Sequence, residues 1–339
     1  MNKRIGFACK WIDNASQVDG LKSKDSARQY TTGTTTVAWL ARQTREVAEQ
    51  KLWDLMVSNI ESTRKLVERV GTLNEELRMV RLSSDILPVY THKDWSSFWS
   101  RSDVVAYCER EFAKIGEIAR RQGVRLSFHP GQFCCIVSNN NNIVEASIAE
   151  FEYHATMARW MGYGKQFQDF KINIHLSGKI GVDGFNAAWN KLSSVARNCL
   201  TLENDEYQAG VDTLIALKDK VAIVLDVHHH FIHSQGEYIR SDDDRIKHVI
   251  ESWRGVRPVI HYSQSREDYL VDHSTTEMPD YSALLKRGYK RQQLRAHSDF
   301  MWNDAVNEWA LSHLEWSDVM VEAKAKNLAS FKLASLVSI

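Results

Sequence analysis

The sequence predicts an α/β protein built as a single (β/α)₈ barrel. Three observations lead to this prediction: eight short apolar segments, longer amphipathic stretches between them, and no glycine-rich phosphate-binding loop. Continuous apolar runs of this length are typical of parallel strands that are buried on both faces. The predicted strands are Ile5–Cys9, Met79–Leu82, Val124–Phe128, Ile172–Leu176, Leu200–Glu203, Val221–Val227, Pro258–Tyr262 and Val319–Ala323.

Helical patterns fill the stretches between these segments. One or two long helices are predicted over Thr34–Glu68. The other predicted helices are Ser102–Arg121, Ile143–Trp160, Phe185–Arg197, Val211–Lys218, Asp243–Trp253 and Trp302–Leu314. Regular alternation of strand and helix favours a barrel. A doubly wound open sheet is the alternative, but it usually carries a GxGxxG or Walker loop, and the chain has neither.

We expect one domain over residues 1–339, with two long loops at about 10–33 and 263–300. Both loops are too long for plain crossovers. In a barrel, both leave the C-terminal face of the strands, where substrate-binding loops gather.

Composition limits the classes of partner. The chain has 43 Lys and Arg against 43 Asp and Glu, so a nucleic-acid surface would have to be local. No segment has the length and apolar character of a signal peptide or membrane span, and the five cysteines form no CxxC pair. We therefore expect an intracellular protein, cytoplasmic or nucleoid-associated, that has no membrane partner and acts as a monomer.

The best candidate for a local nucleic-acid surface is a basic run in the second long loop. Its candidate DNA-contacting residues are Lys286, Arg287, Lys290 and Arg291. A solvated helix face is the alternative interpretation of such a run.

Metal-ligating side chains follow six consecutive predicted strands at their C-terminal ends. They are His129, His175, Glu203, Asp226 with His228-His229-His230, His261 and Glu322. The strand ends of a closed barrel converge on one mouth, where crowded carboxylates raise each other's pKa. A divalent cation removes that conflict, and mixed nitrogen and oxygen ligands suit Zn²⁺, Mn²⁺ or Fe²⁺. The donors exceed the needs of one ion, and Glu203 or Asp226 can bridge two, so we predict two or three ions.

Two assignments in this donor set follow less directly from the sequence. In an extended segment His228 and His230 face one side and His229 the other, and the alternation alone does not select among them. His297 lies in the long segment after the seventh strand and is an additional candidate ligand that can reach the mouth. A single histidine at a strand end is usually structural, so the prediction depends on the joint placement.

Several motifs occur in an order that is typical of a known family. They are Arg81-Leu82-Ser83-Ser84-Asp85, HPGQF at 129–133, Glu203-Asn204-Asp205, Asp226-x-x-His229, His261-Tyr262-Ser263, His297-Ser298-Asp299 and DVMVEAK at 318–324. With these motifs the chain resembles the UV damage endonuclease family, within the endonuclease IV-like barrels. The resemblance covers most of the chain.

The resemblance implies a DNA repair endonuclease that hydrolyses the phosphodiester bond immediately 5′ to a UV lesion in double-stranded DNA. Typical lesions are pyrimidine dimers, 6-4 photoproducts and, in some members, abasic sites. It implies manganese above zinc, magnesium or cobalt as the metal, with Glu203, Asp226 and Glu322 as catalytic residues. The implied ligands are His129, His175, Glu203, Asp226, His229, His261, His297 and Glu322.

Gln132 and Phe133 match a pair that family members insert into the duplex beside the damage. Four sites depart from the family pattern. Near the N-terminus, family members tend to have Asn shortly after the Cys, where this chain has Lys10-Trp11. Phe133 stands where many relatives have Tyr, Val259 where they often have Lys, and Arg295 where endonuclease IV has Asp. The last two changes concern the surroundings of a third metal.

Two other functions are compatible with a metal-binding barrel. A sugar isomerase or epimerase shares the barrel and a site of Glu, Asp and His, but it acts by proton or hydride shift. A metal-binding protein without catalytic activity is the second. The extra histidines and HPGQF argue against the isomerase.

Overall fold

The computed structural model describes residues 3–131, 133–178 and 180–337, and these contain an eight-stranded parallel barrel. Each predicted apolar segment forms a strand, so the (β/α)₈ prediction is confirmed. The strands are β1 Ile5–Ala8, β2 Met79–Arg81, β3 Arg125–Phe128, β4 Lys171–His175, β5 Leu200–Glu203, β6 Ala222–Val224, β7 Val259–Tyr262 and β8 Asp318–Val321.

The strands are hydrogen-bonded in the order β6-β5-β4-β3-β2-β1-β8-β7. Closure between β6 and β7 depends on a parallel bridge between Asp226 and His261, just beyond the end of β6. The amide of His261 donates to the Leu225 carbonyl at 3.0 Å. Two of the predicted metal ligands therefore also join the two ends of the sheet.

The predicted helices are present, with two of them divided. The α-helices of the described residues are Val37–Leu40, Arg45–Gly71, Ser96–Trp99, Ser102–Gln122, Asn141–Trp160, Gly181–Trp189, Ser194–Cys199, Val211–Ile215, Val227–His233, Asp244–Ser252, Tyr281–Lys286, Arg291–Leu294, Asp304–Ser312 and Lys326–Ala334. Thr44 and Ser193 cause the divisions, because each hydroxyl accepts a backbone N–H and starts a new helix. None of these helices has the length and apolar character needed to cross a membrane.

The prediction of an extended segment through Val227 is wrong. Strand β6 ends at Val224, and the three consecutive histidines lie in the helix Val227–His233. Asp226 starts this helix, because its Oδ1 accepts the amides of His228 at 2.8 Å and His229 at 2.7 Å. These capping hydrogen bonds of Asp226 outweigh the apolar character of the segment, which predicted a longer strand.

The interior of the barrel is apolar beneath the mouth. Met79, Val224, Val259 and Met320 belong to one buried cluster although they come from β2, β6, β7 and β8, so they meet inside the barrel. Successive strand residues point to opposite faces. The residues two positions further along therefore also point inward, at the C-terminal end: Arg81, Asp226, His261 and Glu322.

The opposite end of the barrel is closed by ion pairs. Asp318, fully buried at the start of β8, is 2.7 Å from Arg125 Nη1 and 2.8 Å from Arg257 Nε. Its Oδ1 also accepts the amide of Arg4 at 3.0 Å. Every oxygen of this buried carboxylate is thus paired.

The two long segments are held against the barrel. Residues 10–33 contain short 3-10 turns at Ala15–Gln17 and Ser26–Tyr30. Residues 263–300 contain the helices Tyr281–Lys286 and Arg291–Leu294 and pack on an apolar cluster that includes Phe231.

Candidate metal centre

Glu203, at the end of β5, lies at the centre of the mouth. Its Oε2 is 3.1 Å from His261 Nδ1, 3.3 Å from His129 Nε2 and 3.9 Å from His175 Nε2. Its Oε1 is 3.3 Å from His229 Nδ1. One buried carboxylate therefore contacts histidines from β3, β4, β7 and the helix after β6.

Three overlapping groups place their donor atoms within 4.8 Å of one another. Two groups share Glu203 and two share His261, so the seven side chains form one continuous cluster. The groups are His129 with Glu203 and His261, His175 with Glu203 and His229, and Asp226 with His261 and Glu322. The strand-end residues of the sequence analysis are thus brought together in three donor groups, each of which could hold a metal ion.

Several donor atoms in this cluster have no hydrogen-bond partner among the described residues. They are Oε1 of Glu203, Oδ2 of Asp226, and Nδ1 of both His175 and His261. A buried polar atom left unpaired costs about 1–3 kcal/mol. Divalent cations would supply partners for such atoms, and the mixture of imidazole and carboxylate donors fits them.

The ionisation of the carboxylates shows how crowded the site is. Burial raises the pKa of Glu203, but the surrounding histidines, led by His261 and His175, hold it well below its ordinary value. Burial raises the pKa of Asp226 well above the ordinary value, and the charges of Glu203 and Glu322 raise it further. Without a cation, the two neighbouring carboxylates therefore do not ionise together readily.

The histidines are mostly neutral near pH 7. Burial lowers the pKa of His175 and His297, and it lowers the pKa of His261 to about 4. Burial also lowers the pKa of His229, but the carboxylates of Asp226 and Glu203 raise it well above the ordinary value. Neutral imidazole is the form that binds metal, and a cation would displace the proton that His229 retains.

The helix after β6 selects among the three consecutive histidines. His228 Nε2 lies 3.1 Å from the Leu294 carbonyl, and His230 Nε2 lies 2.9 Å from Glu237 Oε2. His229 alone of the three belongs to the donor groups described above. The helical turn sends the three side chains in different directions, so strand alternation was not the deciding factor.

His297 lies at the edge of the cluster. Its ring centroid is 6.5 Å from that of His229, and it belongs to none of the three donor groups. Arg295 Nη1 is 3.7 Å from Glu206 Oε1, which is itself 3.6 Å from His229 Nε2. A carboxylate from the β5 loop therefore faces both His229 and the arginine.

Three inward-facing residues support the cluster and were not singled out from the sequence as site residues. Arg81 donates to Glu322, and Asn173 donates to Glu203 Oε2. Lys171 Nζ is 2.8 Å from His261 Nε2, and burial lowers the pKa of Lys171 to about 7. Lys171 and Asn173 precede the strand-end histidine by four and two residues, so following the inward face of β4 backwards would have found them.

Phe133 lies at the rim of the mouth and is 85% exposed. It lines a cavity of about 410 Å³ together with His175, His229 and Tyr207. Its predicted partner Gln132 lies outside the described residues.

The basic run lies on the loop that borders this cavity. Lys290 lines an adjoining cavity with His297, whereas Lys286 and Arg287 are exposed at the end of the helix Tyr281–Lys286. Arg291 donates to the carbonyl of Glu206 and packs 4.5 Å from the ring centroid of Tyr207. The solvated-face alternative therefore fits Lys286 and Arg287 better than Lys290 and Arg291.

Known proteins share both the sequence pattern and the fold. The profile of the UV-endonuclease UvdE family matches residues 3–339. A UV DNA damage endonuclease of Bacillus cereus (strain B4264) is 25% identical over 317 residues, covering 90% of this chain and 89% of the relative. One from Bacillus velezensis is 25% identical over 317 residues, covering 90% and 88%.

A solved structure shows the same architecture. The crystal structure of SacUVDE superposes with a TM-score of 0.71 and 21% sequence identity, covering 99% of this chain and 98% of that one. The expected resemblance is confirmed by the family profile, which spans nearly the whole chain. This chain belongs to the UV-endonuclease UvdE family, whose members are DNA endonucleases.

Proposed function

We propose that the chain hydrolyses the phosphodiester bond immediately 5′ to UV lesions in double-stranded DNA. The lesions are pyrimidine dimers and 6-4 photoproducts, with abasic sites as a further class, and the reaction uses two or three divalent ions, Mn²⁺ above all. One observation carries the proposal: six consecutive strands end in inward-facing metal donors, and several of these have buried unpaired atoms. Family membership supplies the kind of substrate.

The proposed ligands occupy one mouth and have supporting residues beneath them. The ligands are His129, His175, Glu203, Asp226, His229, His261, His297 and Glu322. Divalent ions bound there would neutralise phosphate charge and lower the pKa of water. Glu203 and Asp226 would be the candidates to be shared between ions, and Glu322 would be the third catalytic carboxylate. Asn173 and Arg81 orient the carboxylates by donating to them.

Lesion recognition is proposed for the rim residue Phe133. An exposed planar ring can fill the gap left when bases unstack, and damaged steps are already weakly stacked and kink more readily. The exposed position of Phe133 supports this role. The corresponding role of Gln132, to bond base edges left unpaired, depends on the sequence match alone.

Contacts to the DNA backbone are proposed for the basic loop. Lys286, Arg287, Lys290 and Arg291 would contact phosphates, which makes binding sensitive to salt. Arg291 would act mainly by holding the rim, because it donates to backbone carbonyls of Glu206 and Ile232.

The decisive test compares irradiated and unirradiated supercoiled plasmid with Mn²⁺ or with EDTA. We expect nicking only of irradiated plasmid and only with metal. Turnover of a ketose or aldose without nicking would favour the isomerase, and metal binding without either reaction would favour a non-catalytic protein. Metal-by-metal assays on defined lesions then identify the ion, the lesion range and the cleaved bond.

Replacing Phe133 tests the rim separately from the metals. Stacking of an aromatic on a base contributes about 1–3 kcal/mol, so we expect Phe133→Ala to weaken binding of lesion-containing duplex by about 5- to 150-fold. Phe133→Tyr keeps the ring and should bind normally. Val271→Ala, which truncates another exposed apolar side chain, is the matched control. Equal affinities of Phe133→Ala and Val271→Ala would show that Phe133 does not take part in lesion recognition.

A further inference from the structure

A second concave surface lies beside the metal centre, between the β1 loop, the segment 10–33 and the residues after β8. It encloses about 200 Å³, and its polar walls include Lys10, Arg28, Lys324 and Lys326 with a single acid, Asp19. We call this surface the cationic pocket. Four cations around so small a space create a strongly positive potential.

Most of this charge is not neutralised by the protein. Lys324 Nζ lies 3.5 Å from Asp299 Oδ1. Among the described residues, no carboxylate oxygen lies within 4.0 Å of the charged nitrogens of Lys10, Arg28 or Lys326. An anion entering the pocket would therefore relieve repulsion and could pair with Lys10, Arg28 or Lys326 without breaking an ion pair.

Lys326 gives the pocket a partly buried charge. It lies at the start of the helix Lys326–Ala334 with a positive φ of 51°. Burial lowers the pKa of its ammonium. A charge removed from water interacts more strongly with a bound anion than an exposed one does.

The walls are fixed in place by buried hydrogen bonds. The amide of Asn327, fully buried, accepts from the Ile12 backbone N–H at 2.8 Å and donates to the Ile12 carbonyl at 2.9 Å. Gln17, also buried, accepts from the backbone N–H of Asp13 at 2.8 Å. A surface that is already ordered loses little conformational freedom when a ligand binds.

The pocket opens at the same end of the barrel as the metal centre. Lys324 follows the proposed ligand Glu322 by two residues, and Lys10 follows β1 by two. A DNA strand bound with its target bond at the metal centre would pass the pocket at a different backbone position. Lysine and arginine are the side chains that bind phosphate oxygens most often.

We propose that the cationic pocket binds a backbone phosphate of the DNA other than the one that is cleaved. This inference rests on the proposed function and adds a second anchoring point to it. The pocket fixes the direction and register of the strand, while the mouth carries out the chemistry.

Removing two exposed charges of the pocket tests the inference. Lys10→Gln/Arg28→Gln is compared with Lys22→Gln/Lys24→Gln, which removes the same charge from exposed residues of the same loop that do not line the pocket. Affinity for lesion-containing duplex is measured in EDTA over a range of salt. We expect the pocket variant alone to bind about tenfold more weakly, with a salt slope reduced by about 1.

Neutral methylphosphonates placed at single positions of the duplex locate the phosphate. Wild-type protein should lose affinity at one or two uncleaved positions, and the pocket variant should lose nothing further there. The inference fails if both proteins lose affinity equally at every position. It also fails if inorganic phosphate stabilises the wild type while no DNA position is coupled to the pocket.

Nicking of irradiated plasmid is measured on the same proteins. If the wild type nicks irradiated plasmid but no methylphosphonate position is coupled to the pocket, the phosphate-binding role of the pocket is overturned and the proposed function is intact. If neither the wild type nor the control variant nicks, but a methylphosphonate position is coupled to the pocket, the proposed reaction is overturned and the phosphate site is intact.

Discussion

The two ends of the barrel both contain buried charges, and they treat them in opposite ways. At the N-terminal end, Asp318 is paired with Arg125 and Arg257, and both of its oxygens are satisfied. At the C-terminal end, Glu203 and Asp226 keep buried oxygens that lack a hydrogen-bond partner in the described part of the chain. The same barrel thus carries one completed cluster, in which every carboxylate oxygen is paired, and one incomplete cluster, in which some oxygens are unpaired.

We expect this difference to separate a cluster that serves stability from one that serves function. A completed pair holds strands together, and breaking it leaves an unpaired charge in the core. An incomplete cluster of donors stores unfavourable interactions that a ligand relieves on binding. Substitutions at the two ends should therefore affect different measurements, and the following predictions are ordered from the largest expected effect.

The largest effect is expected at the closed end. Asp318→Asn removes the charge that Arg125 and Arg257 share, and we expect the free energy of unfolding to fall by about 3–5 kcal/mol, measured by urea denaturation. Metal affinity of the folded protein should be unchanged. Asp242→Asn, which breaks an exposed pair with Arg240, is the control and should leave the free energy of unfolding nearly unchanged. Equal stability of the two variants would contradict the comparison.

At the open end, Glu203→Gln should lower nicking of irradiated plasmid by about 100-fold or more, because it removes the carboxylate that joins the donor groups. DNA binding should remain measurable, and the unfolding free energy of metal-free protein should change less than in Asp318→Asn. Glu237→Gln, which alters the acid beside His230, should nick normally. Full activity of Glu203→Gln would refute its bridging role.

A smaller effect is expected for a supporting residue. Asn173→Ala removes the donor to Glu203 Oε2, and we expect a loss of about 10- to 100-fold in metal affinity or nicking rate. Titration calorimetry with Mn²⁺ separates weaker metal binding from loss of fold. Asn186→Ala, on an outer helix, is the matched control. Unchanged metal affinity in Asn173→Ala would limit its role to packing.

The last prediction concerns pH and is measured as a change of slope. Burial lowers the pKa of His154, His261 and His313 to about 4. In the unfolded chain these groups bind protons near pH 6.5, so the unfolding free energy falls as the pH drops from about 6.5 to 4, by about 1.4 kcal/mol per pH unit for each group. This stability is fully present above pH 6.5.

Urea unfolding of metal-free protein across this pH range measures the slope. His154→Gln, away from the metal centre, should lower this slope by up to the amount that one bound proton contributes. An equal slope in His154→Gln and in the wild type would show that His154 does not titrate on unfolding.

Much of the fold followed from local pattern. The strand β5 has its predicted bounds, and most other strand ends lie within two residues of the prediction. The largest error was at β6, where the side chain of Asp226 caps a helix that apolar character did not indicate. The choice of His229 came from the family resemblance, whereas in the structure it depends on this helical turn.

Local sequence pattern also predicted part of the candidate site. The placement of His129, His175 and Glu203 followed from where strands end. The roles of Lys171 and Arg81 did not, because each depends on contact with a residue of another strand, His261 and Glu322 respectively.

The sequence by itself determined the number of strands, their parallel arrangement and the presence of metal donors at one end, because these follow from local periodicity. Only the tertiary structure decided which atoms remain unpaired, which residues support the donors, and that Lys10, Arg28 and Lys326 share one pocket. Residues about 300 positions apart meet only when β1 pairs with β8 and the barrel closes.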